Sequence, residues 1–190
     1  MGRPDLHLVD AADEVERQFR LVMRRLPGGV SIITAGRDDE ITGMTVTSLT
    51  SLSAAPPRLL VSINRQASSF SLIDRHRLFG VNILGSDQQE LAARFSSGGL
   101  KGRQRFEGIS WFSGSAGVPL LGTALATVEC RVEEIIERHS HGIIVGSLLS
   151  FDLLHRSSGL VYWDGQYVEI NGDADLEVLA RVSIPLAHVR

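Results

Sequence analysis

Between Val30 and Ile170 the chain is a succession of short apolar segments rich in Val, Ile and Thr, each closed by a turn signal. VSIITAG (30–36) and ITGMTV (41–46) flank the polar run Arg37-Asp38-Asp39-Glu40 and predict a hairpin. LLVSIN (59–64) follows the Pro56-Pro57 break, and LFGVNIL (78–84) follows a helical stretch over 67–75. HGIIVGSLLSFDLL (141–154) and LVYWDGQYVEI (160–170) complete the series, the last around an Asp-Gly turn. From Ala124 onward the apolar residues Ala124, Ala126, Val128, Cys130 and Val132 alternate with Thr127, Glu129, Arg131 and Glu133. That alternation predicts a long strand with its even positions buried and its odd positions in solvent. Strands that do not alternate regularly with helices exclude a doubly wound sheet. They predict an antiparallel barrel, mainly β with flanking helices.

Val15, Phe19, Val22, Met23 and Leu26 recur at spacings of three and four among charged residues, so 11–26 reads as an amphipathic helix with a core-facing stripe. It stops at Pro27-Gly28-Gly29. A second helix is expected over 86–95, with Ser86 or Asp87 as cap and Leu91, Ala92 and Phe95 on one face. The Gly- and Ser-rich stretch 96–118, carrying Lys101, Arg103 and Arg105, reads as a loop without packed regular structure. The whole chain, 1–190, is expected to be one domain, with 1–10 a disordered N terminus and 171–190 a C-terminal extension of unassigned packing. Nineteen basic against 22 acidic side chains leave a net charge of -3, which speaks against nucleic-acid binding by bulk charge. A single cysteine and no apolar leader predict a cytoplasmic protein without a disulfide. No apolar run approaches the ~20 residues that would cross a bilayer.

Chemistry concentrates at strand ends. Thr42, Thr45, Thr47, Ser48, Thr50, Ser51 and Ser53 place seven hydroxyls within twelve residues, an uncharged cradle for a phosphate or a polar ring. Asn64-Arg65-Gln66-Ala67-Ser68-Ser69 follows a strand and precedes a helical turn, the setting of an anion site. Neither a P-loop nor a Rossmann glycine fingerprint is present. Glu137, His139 and His141 alternate and would share one strand face, but with no further ligand pair at suitable spacing no metal site is expected. Cys130 reads as core and not as a nucleophile.

The ordered blocks PGGVSIITA, TGMTVTSLTSLSAAPPRLLVSIN, SSFSLI, FGVNILGSDQQELAARFS, RQRFEG, HSHGIIVGSL and LVYWDGQY, running from about Phe19 to Val168, resemble the short-chain flavin reductases of two-component monooxygenases. The resemblance implies a split β-barrel that binds FMN or FAD, takes hydride from NADH or NADPH, forms a homodimer and supplies reduced flavin to a flavin-dependent monooxygenase. It also implies residue roles. Thr45, Thr47, Ser48, Leu49 and Thr50 match the segment lining the flavin ring and ribityl chain, and Asn64, Ser68 and Ser69 the loop toward its phosphate. Asn82 matches the strand under the ring, while Phe95, Ser96, Arg103, Arg105 and Phe106 match the loop that meets flavin phosphate or nicotinamide cofactor. His141 matches the histidine of the family's Gly-Asp-His triplet, near the nicotinamide; here the triplet is His139-Ser140-His141. Two rival readings stand beside it: a non-catalytic flavin- or haem-binding split-barrel sensor or carrier, and an oxidase of pyridoxal-type phosphates.

Overall fold

A computed structural model describes residues 11–154 and 158–171 of the chain. The expected disordered segment 1–10 and, beyond Asn171, the C-terminal extension lie outside those residues. In chain order come helix α1 (Ala11–Met23) and strands β1 (Gly28–Gly29), β2 (Ser31–Arg37), β3 (Glu40–Val46), β4 (Thr50–Ala54) and β5 (Pro57–Asn64). Helix α2 (Ser68–His76), β6 (Leu78–Ile83) and helix α3 (Gln89–Ser96) follow. The chain then forms β7 (Trp111–Ser113), β8 (Pro119–Leu121), β9 (Ala126–Arg138), β10 (His141–Leu153), β11 (Ser158–Trp163) and β12 (Gln166–Asn171).

Seven strands join antiparallel in the order β3-β2-β6-β9-β10-β5-β4. Its first and last strands are neighbours in sequence, linked only by Thr47, Ser48 and Leu49. At the reach of an extended chain, Val46 and Thr50 stand no more than about 14 Å apart. The sheet therefore curls until its two edges face each other, and that three-residue link crosses the seam of a split barrel. A smaller sheet, β1-β11-β12, is joined to the barrel by a bridge between Gly85 and Gly159.

Alternation along β2 sends Ile33 into one core and Ile32 into another, so both faces of that strand are buried. The first core fills the barrel with Val61, Ile63, Phe79, Val81, Cys130 and Ile144, and α2 closes it with Phe70, Leu72 and Ile73. Helix α2 starts after an Asx turn, in which Asn64 Oδ1 accepts the Gln66 N–H at 2.9 Å. It ends at Arg77, whose left-handed φ of 55° lets its N–H reach Ile73 O at 2.8 Å. A fully buried phenylalanine such as Phe79 contributes about 2–3 kcal/mol. Two glycines of β10 make room for aromatic rings: a Cβ on Gly142 would stand 2.4 Å from Phe70, and one on Gly146 would stand 2.5 Å from Phe79. The second core lies under α3 and holds Val30, Ile41, Leu84, Phe95, Phe106 and Leu160.

Four expectations are corrected. The α1 stripe does not face a core: Val15, Phe19 and Val22 are 67, 61 and 64% exposed. The link after α1 is fastened to the β11–β12 turn, through Asp164 N–H to Arg24 O (2.8 Å), Arg25 Nη1 to Asp164 Oδ2 (3.1 Å) and Trp163 Nε1 to Arg25 O (3.3 Å). That attachment holds the end of the helix without burying its apolar side. On β9 the odd residues Thr127 and Glu129 are buried, because the 114–118 turn and β8 cover the face that alternation assigns to solvent. Glu129 accepts hydrogen bonds there from Ser115 Oγ (2.6 Å), Ser150 Oγ (3.2 Å) and the N–H groups of Ala116 and Val118. The predicted helix 86–95 opens as a 3₁₀ turn over Ser86–Gln88, where Gln88 Oε1 accepts the Gly85 N–H at 2.9 Å in place of a Ser86 or Asp87 cap. Finally, 96–118 contains a 3₁₀ turn at Gly102–Phe106 and strand β7, which pairs with β8 just beyond it, and Phe106 packs edge-on against both Phe95 (5.2 Å) and Trp111 (5.6 Å).

Candidate active site

The seam opens beside the end of β3 into a cleft of about 230 Å³ lined by Val30, Thr45, Val46, Thr47, Ser96, Tyr162 and Tyr167. Register places Tyr162 opposite Tyr167, and their rings meet edge to face at 5.4 Å to form an aromatic wall. Thr45 Oγ1 donates to Ala92 O at 2.6 Å and so pins β3 to α3, while Ser96 Oγ donates back within the helix to Ala93 O at 2.9 Å. Each hydroxyl keeps acceptor capacity for a ligand. Among the described residues no carboxylate lines this cleft.

Of the residues singled out from the sequence, Thr45, Thr47 and Ser96 come together here. Ser48 turns the other way, its Oγ donating to Ser62 O of β5 at 2.7 Å, and Leu49 packs against the first core. Thr50 is exposed on the edge strand β4. Ser68 is exposed with its Oγ 3.2 Å from Thr42 Oγ1, whereas Ser69 is buried with its hydroxyl on Met44 Sδ at 3.0 Å.

Five further residues of the expected site are held by partners within the protein. Asn82 is fully buried; its amide donates to Ile32 O (2.9 Å) and its Oδ1 accepts the Leu121 N–H (2.7 Å), which commits it to holding β8 on the sheet. Phe95 and Phe106 are 1 and 3% exposed and belong to the second core. Arg105 donates to the carbonyls of Arg94 (3.0 Å), Phe95 (2.8 Å) and Ser97 (2.7 Å), so it caps the carbonyl end of α3. Desolvation lowers its pKa from the ordinary guanidinium value. Arg103 reaches Asp38 O (3.2 Å) and Asp39 Oδ1 (3.3 Å) while lying over Trp111 at 5.6 Å.

His141 is the first residue of β10, paired in register with Asn64 of β5, and its Nδ1 lies 2.9 Å from Ser140 Oγ. It is exposed and stands outside the seam cleft. The expected shared face of Glu137, His139 and His141 is broken: His139 and Ser140 form the turn between β9 and β10, with His139 at φ 50°, while Glu137 is ion-paired with Arg65 at 2.7 Å. Burial first, and then the Glu129 carboxylate, push the Cys130 thiol up to about 12, far from a reactive thiolate.

The family model of the flavin reductase-like domain matches residues 23–171. The chain belongs to this family. It is 32% identical over 155 residues to an FMN reductase (NADH) of Rhizobium rhizogenes, covering 82% of this chain and 89% of that protein. Against the reductase subunit HsaB of a flavin-dependent monooxygenase from Rhodococcus jostii the identity is 32% over 164 residues, 86% of this chain and 83% of the relative. Among solved structures, the NADH:FAD oxidoreductase of Streptomyces globisporus in complex with NAD and FAD fragments superposes with a TM-score of 0.77 at 30% identity, covering 88% of this chain and 99% of that one.

Within this flavin reductase-like domain, two features lie outside the residues expected at the site: the aromatic wall and the basic side of the helix beside it. Tyr162 and Tyr167 straddle the Asp164-Gly165 turn symmetrically, and a two-residue hairpin loop places such residues opposite each other. Arg17 and Arg20 of α1 and Arg24 just after it line a second cavity that shares Thr47 and Tyr162 with the first. A slot of hydroxyls, Val side chains and Tyr rings suits a flat, polar-edged ring such as isoalloxazine, which needs apolar faces and hydrogen bonds at its rim.

Proposed function

We propose that the chain is an NAD(P)H-dependent flavin reductase of the two-component type, a single-domain, cytoplasmic enzyme that hands reduced FMN or FAD to a monooxygenase. The observation that carries this is the lining of the seam cleft: hydroxyls, apolar side chains and two tyrosines, with no carboxylate among the described residues. Hydride transfer between nicotinamide and flavin is the cofactors' own chemistry, and a bound flavin would supply the acceptor. What the chain must then do is hold, orient and keep water out. Thr45, Thr47 and Ser96 offer hydrogen bonds at the ring's rim, and Val30, Val46 and the Tyr162–Tyr167 pair cover apolar surface. The related NADH-dependent FAD reductase of Streptomyces globisporus and HsaB of Rhodococcus jostii support both the reaction and the monooxygenase partner.

The enzyme acts as a homodimer. Phe151, Leu153 and Leu52 are 74, 61 and 51% exposed near the edge of the barrel, and the apolar side of α1 is exposed as well, more than an isolated domain ordinarily leaves to water. A second subunit also supplies what one chain lacks, a wall that brings a histidine near the seam. His141 is the group that positions nicotinamide, its imidazole donating one hydrogen bond to a carboxamide.

The test is anaerobic mixing with NADH or NADPH, with and without FMN or FAD, following loss of the nicotinamide absorbance. Oxidation is expected only with flavin present; steady oxidation without any flavin, or none with it, overturns the reading. His141→Ala should lower the hydride-transfer rate about 5- to 150-fold, the equivalent of one hydrogen bond, with flavin affinity retained. Loss confined to His139→Ala, or loss of flavin binding in the His141 variant, contradicts that role.

A further inference from the structure

The cavity beside the seam cleft measures about 490 Å³ and is lined by Arg17, Arg20, Leu21, Met23, Arg24, Leu26, Thr47 and Tyr162. It shares Thr47 and Tyr162 with the uncharged cleft, so the two form one path from a neutral slot to a cationic one. We infer that this α1 side of the path holds the pyrophosphate–adenosine arm of a dinucleotide, an inference that rests on the flavin reductase reading above.

Three features converge on that chemistry. The first is available positive charge. Arg17 is neutralised by a two-point pair with Glu14 (2.7 and 2.9 Å), but Arg20 meets Glu16 only at 3.6 Å with both side chains in solvent. Arg24 makes no ion pair among the described residues. Its guanidinium lies against the backbone of the β11–β12 turn, where a Cβ on Gly165 would come within 2.5 Å of Nη2. The turn's own carboxylate, Asp164, is taken by Arg25. The second feature is spacing: residues four apart on a helix are neighbours about 6 Å from each other, so Arg20 and Arg24 can address two linked phosphates. The third is the apolar remainder, in which Leu21, Met23, Leu26 and the Tyr162 ring offer a surface for a purine. Among the described residues no carboxylate lines either cavity, and the nearby Glu14 and Asp164 are already paired with Arg17 and Arg25.

FAD and NAD(P)H carry the same arm, and riboflavin and FMN do not. The experiment therefore compares the full-length wild type with Arg24→Ala, Arg24→Lys and the double variant Arg20→Ala/Arg24→Ala. Binding of riboflavin, FMN and FAD is measured anaerobically by flavin fluorescence, and the KM for NADH is measured with riboflavin as acceptor. Losing charge-assisted contacts to phosphate should weaken one dinucleotide about tenfold or more, with partial recovery in the lysine variant. Weakening of FAD without FMN or riboflavin assigns the arm to the flavin. A raised KM for NADH with flavin affinities unchanged assigns it to the hydride donor. If neither moves, or if riboflavin weakens as much as FAD, the inference is wrong. A wild type that binds every flavin but does not discriminate dinucleotides through these arginines overturns this inference alone; a wild type that binds no flavin removes the underlying reading with it.

Discussion

Two arginine-bearing segments flank the seam, and they differ in what their guanidiniums already hold. In the segment after α3, Arg105 is bound by three backbone carbonyls and Arg103 by the Asp38–Asp39 turn and the Trp111 face. On and just after α1, Arg24 pairs with no carboxylate among the described residues and Arg20 makes only a long contact in water. By sequence the first segment is the better phosphate site, being basic, glycine-rich and matched to a ligand-binding block. By geometry it is a staple. A guanidinium has five donors, and where the end of a helix leaves carbonyls without partners most of those donors are engaged before any ligand arrives.

The contrast can be broken most sharply at the aromatic base of the stapled segment. Phe106→Ala should cost about 3–5 kcal/mol in urea unfolding, since it opens a cavity between Phe95 and Trp111; a neutral result would return the segment to the class of mobile ligand loops. Next, Arg105→Ala should cost about 1.5–3 kcal/mol by orphaning the carbonyls of Arg94, Phe95 and Ser97. If it instead leaves the unfolding midpoint unchanged and weakens FMN, Arg105 is a ligand residue and the comparison inverts.

Glu129 is the anionic counterpart of Arg105, a buried charge satisfied by the protein's own groups. Burial alone would raise its pKa, but hydrogen bonds from Ser115, Ala116, Val118 and Ser150 hold it below the ordinary value of 4.5. The folded state therefore binds this proton less readily than the unfolded one. The stability it contributes is present above pH ~4.5 and is lost as pH falls through the lower folded pKa. Glu129→Gln should lose about 1–3 kcal/mol at pH 7 and show a flatter decline below pH ~4.5 than wild type; parallel acid profiles would refute the assignment. Smallest of all, Arg17→Ala removes an exposed helix pair and should leave the thermal unfolding midpoint unchanged; a clear drop would show that the pair is shielded from water.

Periodicity located most of the barrel because strands such as β2 and β3 carry their burial in their own residues. It misplaced Glu129 because the cover over that face comes from the 114–118 turn, and no period within β9 reports on a distant turn. It assigned α1 a core because Val15, Phe19 and Val22 are correctly spaced, yet spacing says only that a face is apolar, not what meets it. At the site, the Thr45–Thr47 hydroxyls were legible as a dense local run. Asn82, Phe95 and Phe106 were not legible as scaffold, since a polar or aromatic residue beside a ligand and one beneath it look alike in one dimension. Tyr162 and Tyr167 could have been found from the Asp-Gly turn between them.

The glycines under the rings of Phe70 and Phe79 set a rule for how this barrel can vary. Gly142 and Phe70 occupy one volume between them, as do Gly146 and Phe79. Neither member of a pair can enlarge unless the other shrinks, so each pair must change hands together, as a single two-site character. Because Gly142 adjoins His141 at the mouth of β10, one of those characters ties the depth at which α2 sits to the residue proposed to meet the nicotinamide. Any lineage or laboratory library that explores new side chains at 142 is, without choosing to, also exploring where that histidine stands.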